Sequence, residues 1–541
     1  MGSSLVTFYK EKVKTTWKVA LYSAFVIGLL VHLYKFMHYF PYFDGLYNYY
    51  SSQDMLEWGR WFLSAACAMT SYFDLPWLIG VVSVIMMALT AAIITEVLGI
   101  EDPVWIILSS GLLVSFPAIT GTFFFEYTAD GYILAMLLSS LAVLLSVKGP
   151  FCWQRFFAAS ACVCISCGIY QSYLSFTMLL LICYFLDGLL DNKYTLADAF
   201  RWILYQAGML IVGVAVYFAI WRILLAWRDT SVVDYQGIGQ IGDADAMALF
   251  SAVKNSVLSF LYFLFDRNPL KNGWSLYTAL NCLCVAGFGG VFLIAAVKSG
   301  LCKRKMQLLL SICCLFGIPF ACCVCYFVSE GVYYATRMMQ SAVLLYIFLG
   351  VLWHKWMPSK VKVLGILLLT AVIWNQTLMA NICYLYMDRS YERSYSVAQE
   401  IATRIHMEDD GNVKYIAFYG SLDTVAEDAD LDNSQLGMLG PLKNVYKADL
   451  LYYDHIALFM CQYLDFTLAY YRETGELEPL MELPPGSPVP KGTRIHIPLV
   501  EGERQAQINA SPEVAAMGIW PGKDSVKRLN DVIVVKFSES E

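Results

Sequence analysis

The chain has 541 residues, of which 58% are hydrophobic, 15% aromatic and only 15% charged; an ordinary soluble protein carries about 25% charged and about 45–50% apolar residues. The formal net charge of −7 and the lack of a basic stripe exclude a nucleic-acid partner. The apolar surplus falls into repeated runs close to the roughly 20 residues that an α-helix needs to cross a bilayer, so the sequence reads as a polytopic α-helical membrane protein.

Lys10, Lys12, Lys14 and Lys18 precede the first apolar stretch, Val19 to Tyr39. It exceeds the about 7–15 residues of a signal-peptide core and no A-x-A site follows, so it reads as an uncleaved first transmembrane helix. Further spans follow at 76–98, 104–122, 131–147, 155–168, 173–190, 202–225, 273–297, 306–328, 338–353 and 361–386, giving about eleven transmembrane helices. The stretch Met247–Phe265 is also apolar but contains Lys254, Asn255 and several serines; it reads as a helix lying on the membrane or as a re-entrant segment, outside the count. Lys and Arg of short loops stay in the cytoplasm. The N-terminal lysines and the loops with Lys148 and Arg155, Lys193 and Arg201, Lys298 to Lys305, and Lys355 to Lys362 then fall on one side, the cytoplasmic one. The acidic loop from Glu96 to Asp102 is the exception on that side.

An odd number of spans leaves everything after Met387 outside. Residues 1–387 form the multi-helix membrane domain, with a first outer loop at 41–75, and 388–541 an extracytoplasmic α/β domain. In the latter, VKYIAFYG and DVIVVKF read as strands, VAQEIATRI and LLYYDHIALFMCQYL as amphipathic helices, and LPPGSP as a turn. The sixteen cysteines sit mostly inside apolar runs, where they act as small hydrophobes. No CxxC pair at metal-site separation and no HExxH occurs, so neither a disulfide framework nor a metal is expected.

The first outer loop carries a cluster of acids, Asp44, Asp54 and Glu57, among aromatics. Trp58, Trp61, Phe62 and Ala65 recur at helical spacing with Glu57, Arg60 and Ser64 opposite, which predicts a helix lying flat at the interface. Gly59 weakens that helix by about 1 kcal/mol. Further ionisable groups recur at the same face: Asp74, Glu126, Asp130 and Glu330, with Arg337 just inside the next helix. Such groups at a membrane boundary are functional candidates. A carboxylate is able to take a hydroxyl proton, and an arginine to hold a phosphate bidentately. Plainer readings stand beside these: solvated acids, Arg60 paired with Glu57 one turn away, Glu126 and Asp130 as helix caps, and Gly121, Gly131 and Gly168 as packing positions.

RWF at Arg60 to Phe62, DLPWLIGVVS at Asp74 to Ser83, FPAITGTFFFEYTADGYILA at Phe116 to Ala135 and MGIWPGKDSVKRLNDVIVVKF at Met517 to Phe537 resemble the bacterial serotype-converting glucosyltransferases of the type-II Gtr group. From about 175 to 380 the likeness is in hydropathy alone. The resemblance implies a GT-C-like fold and a glycosyltransferase that moves a sugar, glucose by family expectation, from a polyprenyl-phosphate-linked donor to a surface polysaccharide acceptor such as O-antigen or a wall glycan. It implies no cofactor and no nucleotide sugar at that step. An acid of the first outer loop acts as base, Asp44 by position, with Asp54 and Glu57 as rivals. Arg337 or Arg60 steadies the leaving phosphate, and Glu126, Asp130 and Glu330 face the substrates. The outer domain takes the acceptor, with Tyr452, Tyr453, Trp520 and Lys536 as candidate contacts, although alternation in VIVVKF makes Lys536 an outward-facing strand charge. The alternative from another class is a transporter or flippase of a lipid-linked sugar, for which inverted repeats and midplane charges are expected; neither is evident. An O-antigen-type polymerase and a non-catalytic surface anchor are further rivals.

Overall fold

The computed structural model describes residues 13–149, 151–233, 246–265, 275–329, 331–409, 415–420, 422, 437–443, 450–451, 455–464 and 502–539, with short strand segments between 466 and 496. By contact density the chain separates into two compact units. The first takes Met1–His38, Ser52–Cys383 and Leu431–Asn444, the second Tyr39–Ser51, Tyr384–Asp430 and Val445–Glu541.

The first unit is helical: α1 (Thr15–Met37), α2 (Leu63–Cys67), α3 (Pro76–Val97), α4 (Pro103–Ser115), α5 (Pro117–Phe123), α6 (Ala129–Val147), α7 (Trp153–Ile169), α8 (Leu174–Leu190), α9 (Leu196–Arg228), α10 (Ala246–Phe265), α11 (Leu276–Lys298), α12 (Lys305–Cys322), α13 (Val343–Trp356) and the start of α14 (Ser359–Glu408). Local chemistry sets several of these boundaries. Asp102 caps α4 by accepting from the Val104 and Trp105 amides, with Pro103 at the first helical position. Thr195 and Ser275 cap α9 and α11 in the same way. Phe116 is extended, as the residue before a proline prefers to be, and this breaks α4 from α5 with a bend of 43°. The break frees carbonyls inside an apolar bundle, and His32 of α1 donates to that of Val114 (2.8 Å) while Ser115 donates to Gln376 Oε1 of α14 (3.0 Å).

Among the described residues, ten helices are long and apolar enough to cross a membrane, or eleven if the bent pair α4–α5 is one span. Every predicted span has a helix, but the count is composed differently. α7 is too short for the criterion, whereas α10 meets it. The connections explain how α10 fits. Arg304, at the start of α12, donates to the Leu189 carbonyl and to Asn192 Oδ1 beyond α8, so α11 and α12 meet at the end where α9 begins. At the opposite end Tyr277 and Asn281 of α11 donate to the carbonyls of Phe263 and Leu264 (both 2.8 Å), and Ser259 bonds Tyr326 beyond α12 (2.9 Å). α9 and α10 therefore finish at the same end of the bundle, the end where α11 begins.

The end that carries the N-terminus of α1 is rich in cations held by short links. Lys14 and Trp17 meet Glu96, Lys355 bridges Asp187 and Asp191, and Lys298 donates to the Trp356 carbonyl (2.9 Å).

α14 has 50 residues and runs unbroken through the boundary at Cys383 and Tyr384. Within the second unit it is followed by strands β1 (Tyr415–Tyr419), β2 (Phe466–Thr467), β3 (Ala469–Tyr471), β4 (Leu477–Pro479), β5 (Ile495–His496), β6 (Val526–Leu529) and β7 (Val532–Lys536), and by helices α15 (His455–Tyr463), α16 (Gly502–Asn509) and α17 (Pro512–Ala515). β7 is the centre of a three-stranded sheet, parallel to β1 from Tyr415↔Val532 to Tyr419↔Lys536 and antiparallel to β6. Ile533 and Val535 pack with Ile416 against Ala398, Ile401 and Ile405 of α14 and Phe459 of α15. Val532 and Val534 face the other way, with Ala417, onto Val514 and Met517.

That second layer corrects the expectation for Lys536. Its strand does alternate, but both faces of the sheet are covered, so Lys536 is 1% exposed. Its ammonium donates to the Ala515 and Met517 carbonyls (3.2 Å each) and pairs with Glu539 (3.0 Å). Lys536→Met should lower stability by about 1–3 kcal/mol by leaving carbonyl groups without a donor. The check is denaturant unfolding of the full chain in detergent, followed by the exposure of a protease site in the second unit. A midpoint equal to that of the wild type would assign the lysine no role in this core.

Candidate functional site

The segment after Ser52 does not form the predicted interfacial helix. Leu56–Trp58 is a single 3₁₀ turn that ends at Gly59 with φ +75°, and Met55 and Arg60 pair across it as an isolated bridge. A side chain on Gly59 would be strained by about 1–2 kcal/mol in this left-handed conformation, and its Cβ would stand 2.5 Å from the Tyr217 hydroxyl and 2.7 Å from Gln171 Nε2. Trp58, Trp61, Phe62 and Ala65 are spread over a turn and a short helix rather than along one stripe.

Neighbouring helices supply what the irregular backbone lacks. Gln171 Nε2 donates to the Trp58 carbonyl (2.9 Å), Trp221 Nε1 to that of Leu56 (2.7 Å), and the Phe62 amide to that of Gly168 (2.8 Å). Gly168 is bare because the Trp61 ring lies 2.7 Å from where its Cβ would be. At the far side Thr70 donates to Asp130 Oδ2 (2.8 Å), whose Oδ1 accepts from the Gly131 amide (2.8 Å). Asp130 thus fastens the loop to the first turn of α6, fully buried.

Arg60 is aimed by this framework. Its Nη1 donates to the Tyr132 hydroxyl (3.1 Å), and its guanidinium lies over the Tyr170 ring, 4.6 Å from the centroid. Tyr132 and Tyr170 stack at 4.7 Å and 18°, and both are buried. Arg337 arrives from a distant part of the chain. It lies in the 3₁₀ helix Thr336–Ala342 that leads into α13, its guanidinium 3.8 Å from the centroid of Phe125. A Cβ on Gly121 of α5 would meet the Arg337 amide at 3.5 Å, so the two backbones run close together. One turn on, Gln340 donates to the carbonyl and hydroxyl of Ser172 (3.2 Å each). Burial pushes the Tyr170 phenol above its ordinary range, and the charges of Arg337 and Arg60 oppose that shift. Two arginines from segments far apart in sequence thus each lie over an aromatic ring, Arg60 over Tyr170 and Arg337 over Phe125.

Next to Phe125, Glu126 forms an ion pair with Lys35 of α1 at 2.5 Å, with side chains 4% and 1% exposed. Asp54 is paired with Arg228 at the end of α9, both about half exposed. Glu57 is half-buried in the 3₁₀ turn, and Asp74 is buried. Asp44 belongs to the second unit. It sits half-buried in the 3₁₀ turn Phe43–Tyr47, its carbonyl accepting from Asn48 Nδ2 (2.7 Å), and the adjacent Phe43 stacks on His455 of α15 at 5.0 Å. Glu330, Tyr452 and Tyr453 lie outside the described residues. Among the described residues no group of three or more His, Cys, Asp or Glu is placed to hold a metal ion.

The site residues that sequence reasoning missed are Lys35, Phe125, Tyr132, Tyr170 and Gln171. Lys35 did carry a signal, being a lone cation within the first apolar run. The tyrosines carried none, since aromatics abound in such chains.

Among known families, the model described as Glucosyl transferase GtrII aligns with residues 33–354. The match covers more than half of the chain and includes Lys35, Arg60, Glu126, Asp130 and Arg337, but it stops well before Met517–Phe537. Comparison with curated proteins and with solved structures finds no match.

The Lys35–Glu126 pair makes a sharp prediction. Lys35→Met leaves a buried carboxylate uncompensated and should cost about 3–5 kcal/mol, whereas Lys35→Met combined with Glu126→Leu should recover most of the loss. Thermal unfolding of both variants in detergent decides it; a double variant no more stable than the single one contradicts the pairing.

Proposed function

The chain belongs to the glucosyl transferase GtrII family, and from that premise we propose that it moves glucose from polyprenyl phosphate to a cell-surface polysaccharide. The observation that supports this reading is the placement of Arg60 over Tyr170 and of Arg337 over Phe125, at the end of the helical bundle away from the lysine-rich connections. Cytoplasmic retention of Lys and Arg then puts this end, and the transfer, on the outer face, with a GT-C-like membrane domain and an extracytoplasmic second unit.

In this reading the carrier lipid lies along exposed apolar helices, where each Å² of apolar surface removed from water contributes roughly 25 cal/mol. An acceptor hydroxyl attacks the anomeric carbon of the donor. The new carbon–oxygen bond forms as the bond to the phosphate oxygen breaks, and the hydroxyl proton passes to a carboxylate. Negative charge grows on the departing phosphate, where preorganised cations lower the barrier most. Arg60 and Arg337 supply them. Asp44 is the base, with Asp54 and Glu57 as rivals; the pairing of Asp54 with Arg228 makes it the weaker of these. Glu126 and Asp130, tied to Lys35 and Thr70, support the site from beneath, and the second unit takes the acceptor polysaccharide.

The test is a membrane assay with polyprenyl-phosphate-glucose and purified surface polysaccharide. Wild-type protein should transfer glucose. Asp44→Asn should lower the rate by about 10²–10⁴-fold, the range of a general base, while Asp54→Asn and Glu57→Gln lose far less. Full activity of Asp44→Asn removes the base assignment. Movement of the lipid-linked sugar across vesicles by wild-type protein, with no transfer, replaces the enzyme by a flippase.

A further inference from the structure

We propose that Phe43 and His455 form an acceptor subsite beside Asp44, a stacked aromatic pair that takes one pyranose ring of the surface polysaccharide and holds its hydroxyl to the base. The proposal rests on the transfer reading above and deepens it by naming the groups that present the acceptor.

The loop that carries Asp44 is built into the second unit, to which Tyr39–Ser51 belongs, and it runs along α15 in the opposite direction to that helix. Its start meets the end of α15, where the Tyr463 hydroxyl donates to that of Tyr39 (3.1 Å). Four residues on, Phe43 stacks on His455 at the start of α15, with ring centroids 5.0 Å apart and planes inclined by 16°. Leu46 is fully buried in one core with Ile456 and Phe459 of the same helix. A loop fastened at three points is a rigid mount. Asp44 sits within it, in the same 3₁₀ turn as Phe43. Phe43, Asp44 and His455 are all half-buried, so each keeps part of its surface open.

A general base works within about 2.6–3.2 Å of the proton it takes, and a misplacement of about 1 Å costs on the order of 10²-fold in rate. The reacting hydroxyl must therefore lie against the turn Phe43–Tyr47. A sugar ring has hydroxyls at its rim and carbon-bound hydrogens on its faces. The electron-rich face of an aromatic ring attracts those hydrogens, and an imidazole both donates to and accepts from hydroxyls. The Phe43–His455 pair supplies both in one place. Consecutive Cα atoms lie about 3.8 Å apart, less than the width of a hexose, so a ring resting on Phe43 carries a hydroxyl within side-chain reach of Asp44. As the hydroxyl oxygen bonds to the anomeric carbon, its proton passes to the Asp44 carboxylate, and the electron pair of the broken bond stays on the phosphate oxygen. Acceptor and base ride on one unit, and the alignment of hydroxyl with carboxylate is set within it.

The experiment uses full-length protein in detergent, with polyprenyl-phosphate-glucose and purified surface polysaccharide as substrates. KM is read separately for each, and the unfolding temperature of every variant is recorded. Phe43→Leu should raise the KM for polysaccharide by about 3–10-fold, the range of a lost aromatic contact, and leave the KM for the lipid within about 2-fold. Phe43→Tyr keeps the ring and should match wild type. His455→Phe keeps the stack but removes both ring nitrogens, and should raise the polysaccharide KM by about 3–10-fold, as for one lost hydrogen bond. Should Phe43→Leu fail to fold, His455→Phe carries the test. An unchanged polysaccharide KM in Phe43→Leu, or in His455→Phe where that variant carries the test, overturns the subsite and leaves the transfer reading intact. A KM that rises equally for both substrates, together with a lower unfolding temperature, also overturns it, since that reports a structural role alone. A wild-type protein that transfers no glucose to the polysaccharide overturns the transfer reading and the subsite with it.

Discussion

Backbone polar groups surrounded by apolar helices must find partners, and the turn at Gly59 is where the first unit meets that requirement most severely. Three carbonyl and amide groups of this short irregular stretch reach Gln171, Trp221 and Gly168, from the α8 approach, α9 and α7. Arg60 follows Gly59 directly, so the same bonds that satisfy the turn determine where its guanidinium goes. The glycine is required twice over, by its dihedral and by the nearness of Tyr217.

Arg337 is fixed by different means. Its segment packs on α5, a helix that exists separately because Phe116, extended before Pro117, ends α4 at Ser115. The bend at Phe116 turns α5 so that Gly121 lies against the Arg337 backbone, and the next turn of chain delivers Phe125 beneath the guanidinium and Glu126 to Lys35. A proline, a small residue and a buried ion pair within one stretch of about a dozen residues thus place a cation that belongs to another part of the chain. The family match begins at Leu33 and ends at His354, and encloses all of these elements.

Much of the helical framework was legible in the sequence because apolar length is a direct reading of bilayer thickness. The break between α4 and α5 was equally visible in Phe116-Pro117, although the run 104–122 reads as one span if only hydropathy is counted. The loop was misread for a definite reason. The spacing of Trp58, Trp61, Phe62 and Ala65 is helical, but the chain turns at Gly59 and begins a new short helix at Leu63, and periodicity cannot tell one continuous helix from two short pieces. Lys536 was misread because alternation shows that successive side chains face opposite ways and not whether the second face is covered. The contact of Arg60 with Tyr170 was hidden in principle. Its two members stand more than a hundred residues apart in the chain, and no local pattern encodes such a meeting.

α10 shows how a long apolar helix is accommodated without disturbing the alternation around it. Both of its flanking partners, the end of α9 and the start of α11, belong to the same end of the bundle. The handedness of insertion for everything downstream is consequently indifferent to whether this helix is present. The length of α10 is therefore free of the parity that binds the spans on either side of it.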